Sequence, residues 1–330
     1  MKIERKSPVR DGYTGFTEVV LSVSHFGKAA GLAQAGGWER LHSGPGAPEL
    51  HRAWGLKPEA RIDEQLLHVP SMPYGYLRFT RISDTPQQPV RPLDARPWDT
   101  GGLWLLYTRS TNDAALSQAL ANEGWPTVRG VHGFDFGELA VNEVHQHGPD
   151  GMVLSIIEQL KPPLAVPAPL LTHVFNAAII VRDFDKAREF FVDQLGFRPW
   201  MEVEWAGDNP GLTLLADLEA FKGVKTIKTV IVHPEGENLG SVELIGWDGA
   251  QPGRDFADRA QPPNLGALAL RFGVANLATH LDRLRGHGIS LVRPVTELTL
   301  EPYGRVRLAP IRSPDGVWIE FFEVLDLAIP

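Results

Sequence analysis

The segment from Asn176 to Phe197 constrains the architecture of this chain more than any other stretch. Apolar residues alternate as far as Asp183, the period of a half-buried strand. A helical spacing follows at once, with Phe184, Ala187, Phe190, Phe191 and Leu195 on one face. Gly196 then supplies the residue that tolerates positive φ where such a helix must stop. The spacing therefore predicts a strand, a tight turn, an amphipathic helix and a halt within little more than one strand–helix unit.

The same unit recurs. Gly266–Asn276 is a second apolar-alternating strand, and Leu277–His287 a helix with Leu277, Leu281 and Leu284 on one face before Gly288. Pro314-Asp-Gly-Val-Trp-Ile-Glu-Phe-Phe-Glu323 then makes a turn followed by a strand. The first half repeats the pattern more faintly. Thr17–Val23, Tyr76–Ile82 and Leu103–Arg109 are predicted strands. Phe26–Leu41 and Asp113–Asn122 are predicted helices, the second stopped by Gly124. Pro149-Asp-Gly opens a strand as Pro314-Asp-Gly does. Between Ser43 and Pro73 the pattern is weak. The segment 161–170 (KPPLAVPAPL) carries four prolines in ten residues and reads as an extended linker. The expected organisation is an N-terminal domain, 1–160, with modules at about 15–85 and 100–160, and a C-terminal domain, 171–330, with modules at about 172–248 and 265–325. A generic α+β protein with several strand–helix–strand units is the alternative.

Composition narrows the function classes. The 330 residues suit two domains of ordinary size, and 43% apolar with 22% charged residues are those of a water-soluble globular chain. A net charge of −8 without a basic run argues against nucleic acid or an anionic membrane as partner. There is no cysteine, so disulfides, thiolate catalysis and cysteine ligands are excluded. The first dozen residues are polar and no run approaches membrane-spanning length, so a cytoplasmic location is expected. A homodimer is compatible with these features but nothing in the sequence argues for it.

With its strand–turn–helix–glycine units and closing Pro-Asp-Gly strands, the chain resembles the vicinal oxygen chelate superfamily of glyoxalases, bleomycin-resistance proteins and extradiol dioxygenases. The resemblance implies an α+β fold of four βαβββ modules forming two glyoxalase-like domains. It also implies open cups whose metal ligands start the first strand, and lie on the last strand, of each module. Histidine and glutamate usually fill those positions. Here they fall on Asn176 and Ala269 for first strands and on Glu243 and Glu320 for last strands in the second half. In the first half they fall on Glu18, Arg78, Leu105 and Ser155. Both histidines of the second half are lost, alanine cannot ligate, and a neutral asparagine oxygen is a poor ligand for a transition metal. Arg271 lies two residues from Ala269 and shares its face. A guanidinium beside Glu243 and Glu320 would neutralise them without a metal, and Glu18 with Arg78 forms a second expected ion pair. No cofactor is therefore favoured; a divalent metal on Glu243 and Glu320 is the weaker alternative. The dioxygenase signature is met by Pro314, Gly316 and Glu320, but its tyrosine position is Pro310 and its histidine is missing, so iron-dependent ring cleavage is not expected.

Other residues complete the candidate set. Tyr107, two after Leu105, faces inward. Trp247 shares a face with Glu243 through Ile245 and should line the same cup. Tyr303 in Glu-Pro-Tyr-Gly faces the cup region. His233 precedes Pro234 at a strand end and is either an acid–base group or an ordinary turn histidine. His145 and His147, with Glu143, are expected on a polar, solvent-facing strand edge, the alternative being a metal site shared with Glu18. His280 and His287 are expected to be exposed. The reading is a small-molecule enzyme of glyoxalase type, a lyase or isomerase that moves a proton next to a carbonyl of an oxygenated, partly aromatic metabolite. Glu320 or Glu243 would be the base, and Arg271, Asn176 or Tyr303 would steady the oxyanion. Substrate-binding candidates are Asn176, Trp247, His233, Glu18, Arg78 and Tyr107. The competing reading is a non-catalytic binding protein of bleomycin-resistance type, and behind it a metal-dependent dioxygenase.

Overall fold

The computed structural model describes residues 14–70, 72–135, 137–163, 171–206, 223–248 and 253–325; most of the proline-rich linker lies outside them. The first module runs β1 (Phe16–Ser22), α1 (Gly27–Gly36), β2 (Glu39–Pro45), α2 (Leu50–Trp54), β3 (Arg61–His68) and β4 (Tyr76–Ser83). The second has β5 (Leu103–Ser110), α3 (Asp113–Asn122), β6 (Thr127–Asp135), β7 (Ala140–His147) and β8 (Val153–Lys161). The third has β9 (Asn176–Ile180), α4 (Phe184–Arg188), β10 (Arg198–Ala206), β11 (Thr226–His233) and β12 (Ser241–Asp248). The fourth has β13 (Gly266–Gly273), α5 (Leu277–Gly286), β14 (Thr296–Leu300), β15 (Gly304–Arg312) and β16 (Trp318–Val324).

The helix signals read from sequence act as expected. Asn112, Asp183 and Asn276 each accept a backbone N–H of the first turn and cap α3, α4 and α5. The third helix departs from a uniform α-helix. After Arg188 it continues as a π-turn, Glu189–Gln194, which keeps Phe190 and Phe191 in the core before Gly196 takes φ +73°. The expected helix Phe26–Leu41 is shorter, because Gly37 takes a left-handed conformation and the chain turns into β2.

Strand pairing corrects the expected division at the linker. The strands form two eight-stranded sheets, ordered β14-β15-β16-β13-β1-β4-β3-β2 and β10-β11-β12-β9-β5-β8-β7-β6. The first module therefore shares a sheet with the fourth, and the second with the third. In each sheet the two first strands meet antiparallel, β1 on β13 and β5 on β9. Each first strand also runs parallel to the last strand of its own module. Neither 1–160 nor 171–330 builds a sheet by itself. The physical reason is that a strand's edge selects its partner by long-range packing, which a local pattern does not encode.

The face alternation of these strands sorts side chains into three clusters. The largest lies between the sheet backs and the helices, and takes residues from all four modules, including Leu21, Leu120, Phe191 and Phe321. A second fills the concave face of the first-and-fourth sheet, and a third lines that of the second-and-third sheet.

The two Pro-Asp-Gly turns have one reason in common. Gly151 and Gly316 take φ +86° and +84°, and each lies against a connecting segment. A β-carbon at Gly151 would strike the Arg91 carbonyl, and one at Gly316 the Ala257 carbonyl. Gly316→Ala combines a left-handed strain with a backbone clash. It should cost about 2–4 kcal/mol of stability, measured by denaturant unfolding.

Candidate functional site

The concave face of the first-and-fourth sheet holds a buried ion network. Glu18 of β1, Arg78 of β4, Arg271 of β13 and Glu320 of β16 are all 0% exposed. The Arg271 Nε donates to Glu320 Oε2 at 2.6 Å and its Nη1 to Glu18 Oε1 at 2.6 Å. The Arg78 Nε and Nη2 donate to the two Glu18 oxygens at 2.8 and 3.0 Å, and its Nη1 to Glu64 of β3 at 3.2 Å. Tyr303 adds its hydroxyl to Glu18 Oε2 at 3.2 Å, and the Trp54 indole N–H closes Glu320 Oε1 at 2.7 Å. The inward orientation expected of Arg78 is thus observed. Burial alone would raise the Glu18 carboxyl, but Arg78 and Arg271 outweigh it and hold that carboxyl below its ordinary value. The same partnership raises both guanidiniums against the opposite pull of burial. Helix α2 seals the cup with Leu50, Ala53 and Trp54, each at most 2% exposed.

A network of this kind is sensitive to acid. Because the Glu18 carboxyl is held below its ordinary 4.5, its contribution is complete above that value and lost as pH falls through the depressed one. Wild type and Glu18→Gln should therefore differ clearly in urea unfolding at pH 7, and the difference should shrink steadily as the pH is lowered below 4.5.

The concave face of the second-and-third sheet is built differently. Across β7, β8, β5, β9 and β12 it presents Glu143, Ser155, Tyr107, Asn176 and Glu243. Glu243 is partly reachable by solvent although protein surrounds its carboxyl. Tyr107, at 8%, and Glu143, at 9%, are just within reach, whereas the key side chains of the other cup are at zero. Burial pushes the Glu243 carboxyl up to about 7; the Tyr107 hydrogen bond opposes this and the Glu143 charge adds to it. Burial and the same two glutamates raise the Tyr107 phenol well above its usual range, so it stays protonated. Glu143 Oε1 accepts from Ser155 Oγ at 2.5 Å and from His145 Nε2 at 2.9 Å. The Oδ1 of Asn176 is buried without a hydrogen-bond partner. Phe175, Ile245, Trp247 and Trp205 supply apolar walls.

Among known proteins, a family model described as the Glyoxalase/Bleomycin resistance protein/Dioxygenase superfamily matches residues 171–321. The second half of this chain belongs to that superfamily. The glyoxalase-like fold extends over the rest. Glyoxalase I from Zea mays superposes with TM-score 0.63 at 11% identity, over 96% of this chain and 95% of that one. A protein from Bacillus subtilis proposed to be a dioxygenase superposes with TM-score 0.56 at 13% identity, over 97% and 86% of the two chains. No curated protein sequence matches. At such identities the likeness is one of fold.

Superfamily members usually use a divalent metal, and the donor sets here do not fit one. In the first cup two guanidiniums stand where a cation would, and every carboxylate already accepts from them or from Trp54 and Tyr303. In the second, the superfamily's ligand positions are Leu105, Ser155, Asn176 and Glu243. No group of three histidine, cysteine, aspartate or glutamate side chains suited to a metal occurs among the described residues. The paired alternatives also separate: Glu243 and Glu320 lie on different sheets, as do Glu18 and His145. Arg271 likewise serves Glu320 and Glu18 rather than Glu243.

The remaining candidates divide cleanly. Glu320, Arg271, Tyr303, Glu18 and Arg78 are together in the closed cup; Glu243, Tyr107, Asn176 and Trp247 share the open one. His233 belongs to neither chemistry. It is 1% exposed, and its Nδ1 accepts the Glu235 and Glu237 backbone N–H groups at 3.0 and 3.2 Å, pinning the turn. Glu143 and His145 are buried on the cup face rather than at a solvent-facing edge, because β6 covers β7 on its outer side. His280 is half-buried, with its ring 4.2 Å from that of Phe321, and is not exposed as expected; His287 is. Glu64 and Trp54 were missed because both lie in the segment where the repeat is faint.

Proposed function

We propose that the cup of the second and third modules is the working site, and that it binds a small oxygenated molecule and moves a proton beside its carbonyl. One observation carries this reading. Glu243, on a position that the resemblance gives to a metal ligand, stays partly exposed on the cup face, with no cationic side chain within ion-pair distance among the described residues. A carboxyl titrating near 7 can take a proton at neutral pH and return it. The electron pair of the broken C–H bond moves to the carbonyl oxygen and gives an enolate. Tyr107 now donates to Glu243. Once Glu243 holds the proton, that hydroxyl is released to donate to the enolate oxygen. The unpartnered Asn176 oxygen accepts from the substrate hydroxyl; passage of that hydroxyl's proton to the enolate oxygen, with return of the Glu243 proton to the former carbonyl carbon, turns the hydroxyl carbon into the new carbonyl and completes an isomerisation. Glu320 is excluded as base by its two strong donors and complete burial.

The test is exchange of C–H for C–D in D2O, followed by NMR, on a panel of small hydroxy ketones and thiol adducts of oxo-aldehydes. Exchange should occur with the wild type and fall by about 10²–10⁴ in Glu243→Gln. Exchange that survives the substitution sinks the assignment. Binding of panel members without exchange in the wild type would instead identify a sequestering protein.

A further inference from the structure

Arg109 is two residues beyond Tyr107 on β5 and turns to the same face. Its guanidinium lies 3.8 Å above the Phe175 ring at the end of the cup. The side chain is partly buried, and burial lowers its pKa without any carboxylate to oppose the shift. Among the described residues, no hydrogen bond or ion pair is made by this guanidinium; the residue is bonded through its backbone, its N–H donating to Thr172 Oγ1 at 2.8 Å and its carbonyl accepting from the Thr172 N–H at 2.9 Å. The surroundings repeat that pattern. His173 is 5% exposed with neither ring nitrogen partnered, and Asn176 Oδ1 has no partner either. Burial first, and then the charge of Arg109, push the His173 imidazole down to about 4, so it is neutral and offers one N–H.

A half-buried guanidinium with an aromatic face beneath it and one unpartnered imidazole N–H in its surroundings is set up to bind an oxyanion. We propose that Arg109 holds the carboxylate of the ligand, and that the substrates of this cup are small monocarboxylic acids carrying the carbonyl or hydroxyl group further along the molecule. This rests on the reading of the cup as the working site. A single negative charge suits the site better than two: one cation faces a cup that already contains Glu143 and Glu243, so each further charge on the ligand meets more repulsion. The register fixes the arrangement. Tyr107 lies opposite Asn176, while Glu243 lies level with Ala178, the partner of Leu105. Arg109 is thus four residues from the level of Glu243, roughly 13 Å along the strands, a span shared between the arginine side chain and the ligand. An acid anchored at Arg109 runs over Tyr107 and presents its distal carbons to the base.

Calorimetric titration with hydrocinnamate and with its uncharged isostere hydrocinnamamide tests the anchor apart from the chemistry. Wild type should bind the acid at least about tenfold more tightly than the amide, the scale of one charge-assisted bidentate pair. Arg109→Gln should abolish that preference, and Arg109→Lys should restore part of it. Glu243→Gln should keep or strengthen it, since a competing negative charge is removed. Equal affinities for acid and amide, a preference that survives Arg109→Gln, or no binding of either compound would each overturn the proposal. Absence of exchange in the wild type, with the preference for the acid intact, would instead count against the base alone.

Discussion

Arg271→Met should lower the stability of the folded chain by about 3–5 kcal/mol, the usual cost of removing one member of a buried ion network. On a chain of this size that is a fall in Tm on the order of 10 °C. Arg271 is the bridge between the two modules of the closed cup, since it donates to Glu18 of one and Glu320 of the other. Without it, Glu320 keeps one indole N–H but no positive charge, at zero exposure. Glu18 retains Arg78 and Tyr303, so the damage falls mainly on Glu320 and on the β1–β13 seam. Replacing Glu18, Glu64, Arg78, Arg271 and Glu320 together by apolar residues of similar volume should recover most of the loss, because the pairs offset their own desolvation and little more. Thermal and urea unfolding of the single and fivefold variants decide the matter. A single variant within about 1 kcal/mol of wild type would show that the network is not what closes this cup.

Glu243→Gln should have the opposite effect on stability while removing exchange activity. The carboxyl titrates near 7 in the folded chain against an ordinary 4.5. Its charged form is therefore disfavoured by folding. That cost is absent below the ordinary value, grows as pH rises between the two, and is complete above the raised one. The glutamine variant should consequently be more stable than wild type at pH 8, by on the order of 1–2 kcal/mol once solvent access to the carboxyl is discounted, and equal to it near pH 4. A gain in stability with a loss of chemistry is the pattern of a site held under strain for its function. Wild-type exchange should rise with pH through about 7, as the free base forms. Unfolding of both proteins at pH 4, 6 and 8 supplies the check, and a glutamine variant less stable at pH 8 would refute the argument.

Much of the fold was legible because its signals are local. The strand ends at Asp183 and Asn276, the Gly196 stop and the two Pro-Asp-Gly turns are read from a few adjacent residues; the structure adds that Asp183 and Asn276 also cap the helices that follow. The ion pairs of Arg78 with Glu18 and of Arg271 with Glu320 were also legible, from the inward strand faces on which these residues stand. Which carboxylate Arg271 serves was not. Glu243 and Glu320 share a local pattern, an acid with two apolar residues after it and one before it on the strand. They differ in the neighbouring first strand: Ala178 lies beside Glu243 and Arg271 beside Glu320. The distinction between a locked acid and a free one is thus a consequence of strand pairing. Helix α2 escaped notice because it is only five residues long, too short to show a helical period. Glu143 and His145 looked like a wet edge because their burial depends on β6 packing outside them, information that Asn142–His147 does not carry.

The pairing of first with fourth and second with third modules sets an order of events during synthesis. Strand β1 leaves the ribosome long before its neighbour β13: Glu18 and Arg271 are 253 residues apart. At typical translation rates that is a wait of roughly 10–50 s. The inner pair, β5 with β9, is complete far sooner. The open bowl can therefore close while the ends of the chain are still unmatched, and the outer sheet then forms around it. During that interval Glu18 has Arg78 but not yet Arg271, and the bare edge of β1 is open to a stray strand from another nascent chain. The arginine that arrives last thus joins two segments from opposite ends of the message, and a ribosome stalled before it would leave half a bowl exposed to chaperones.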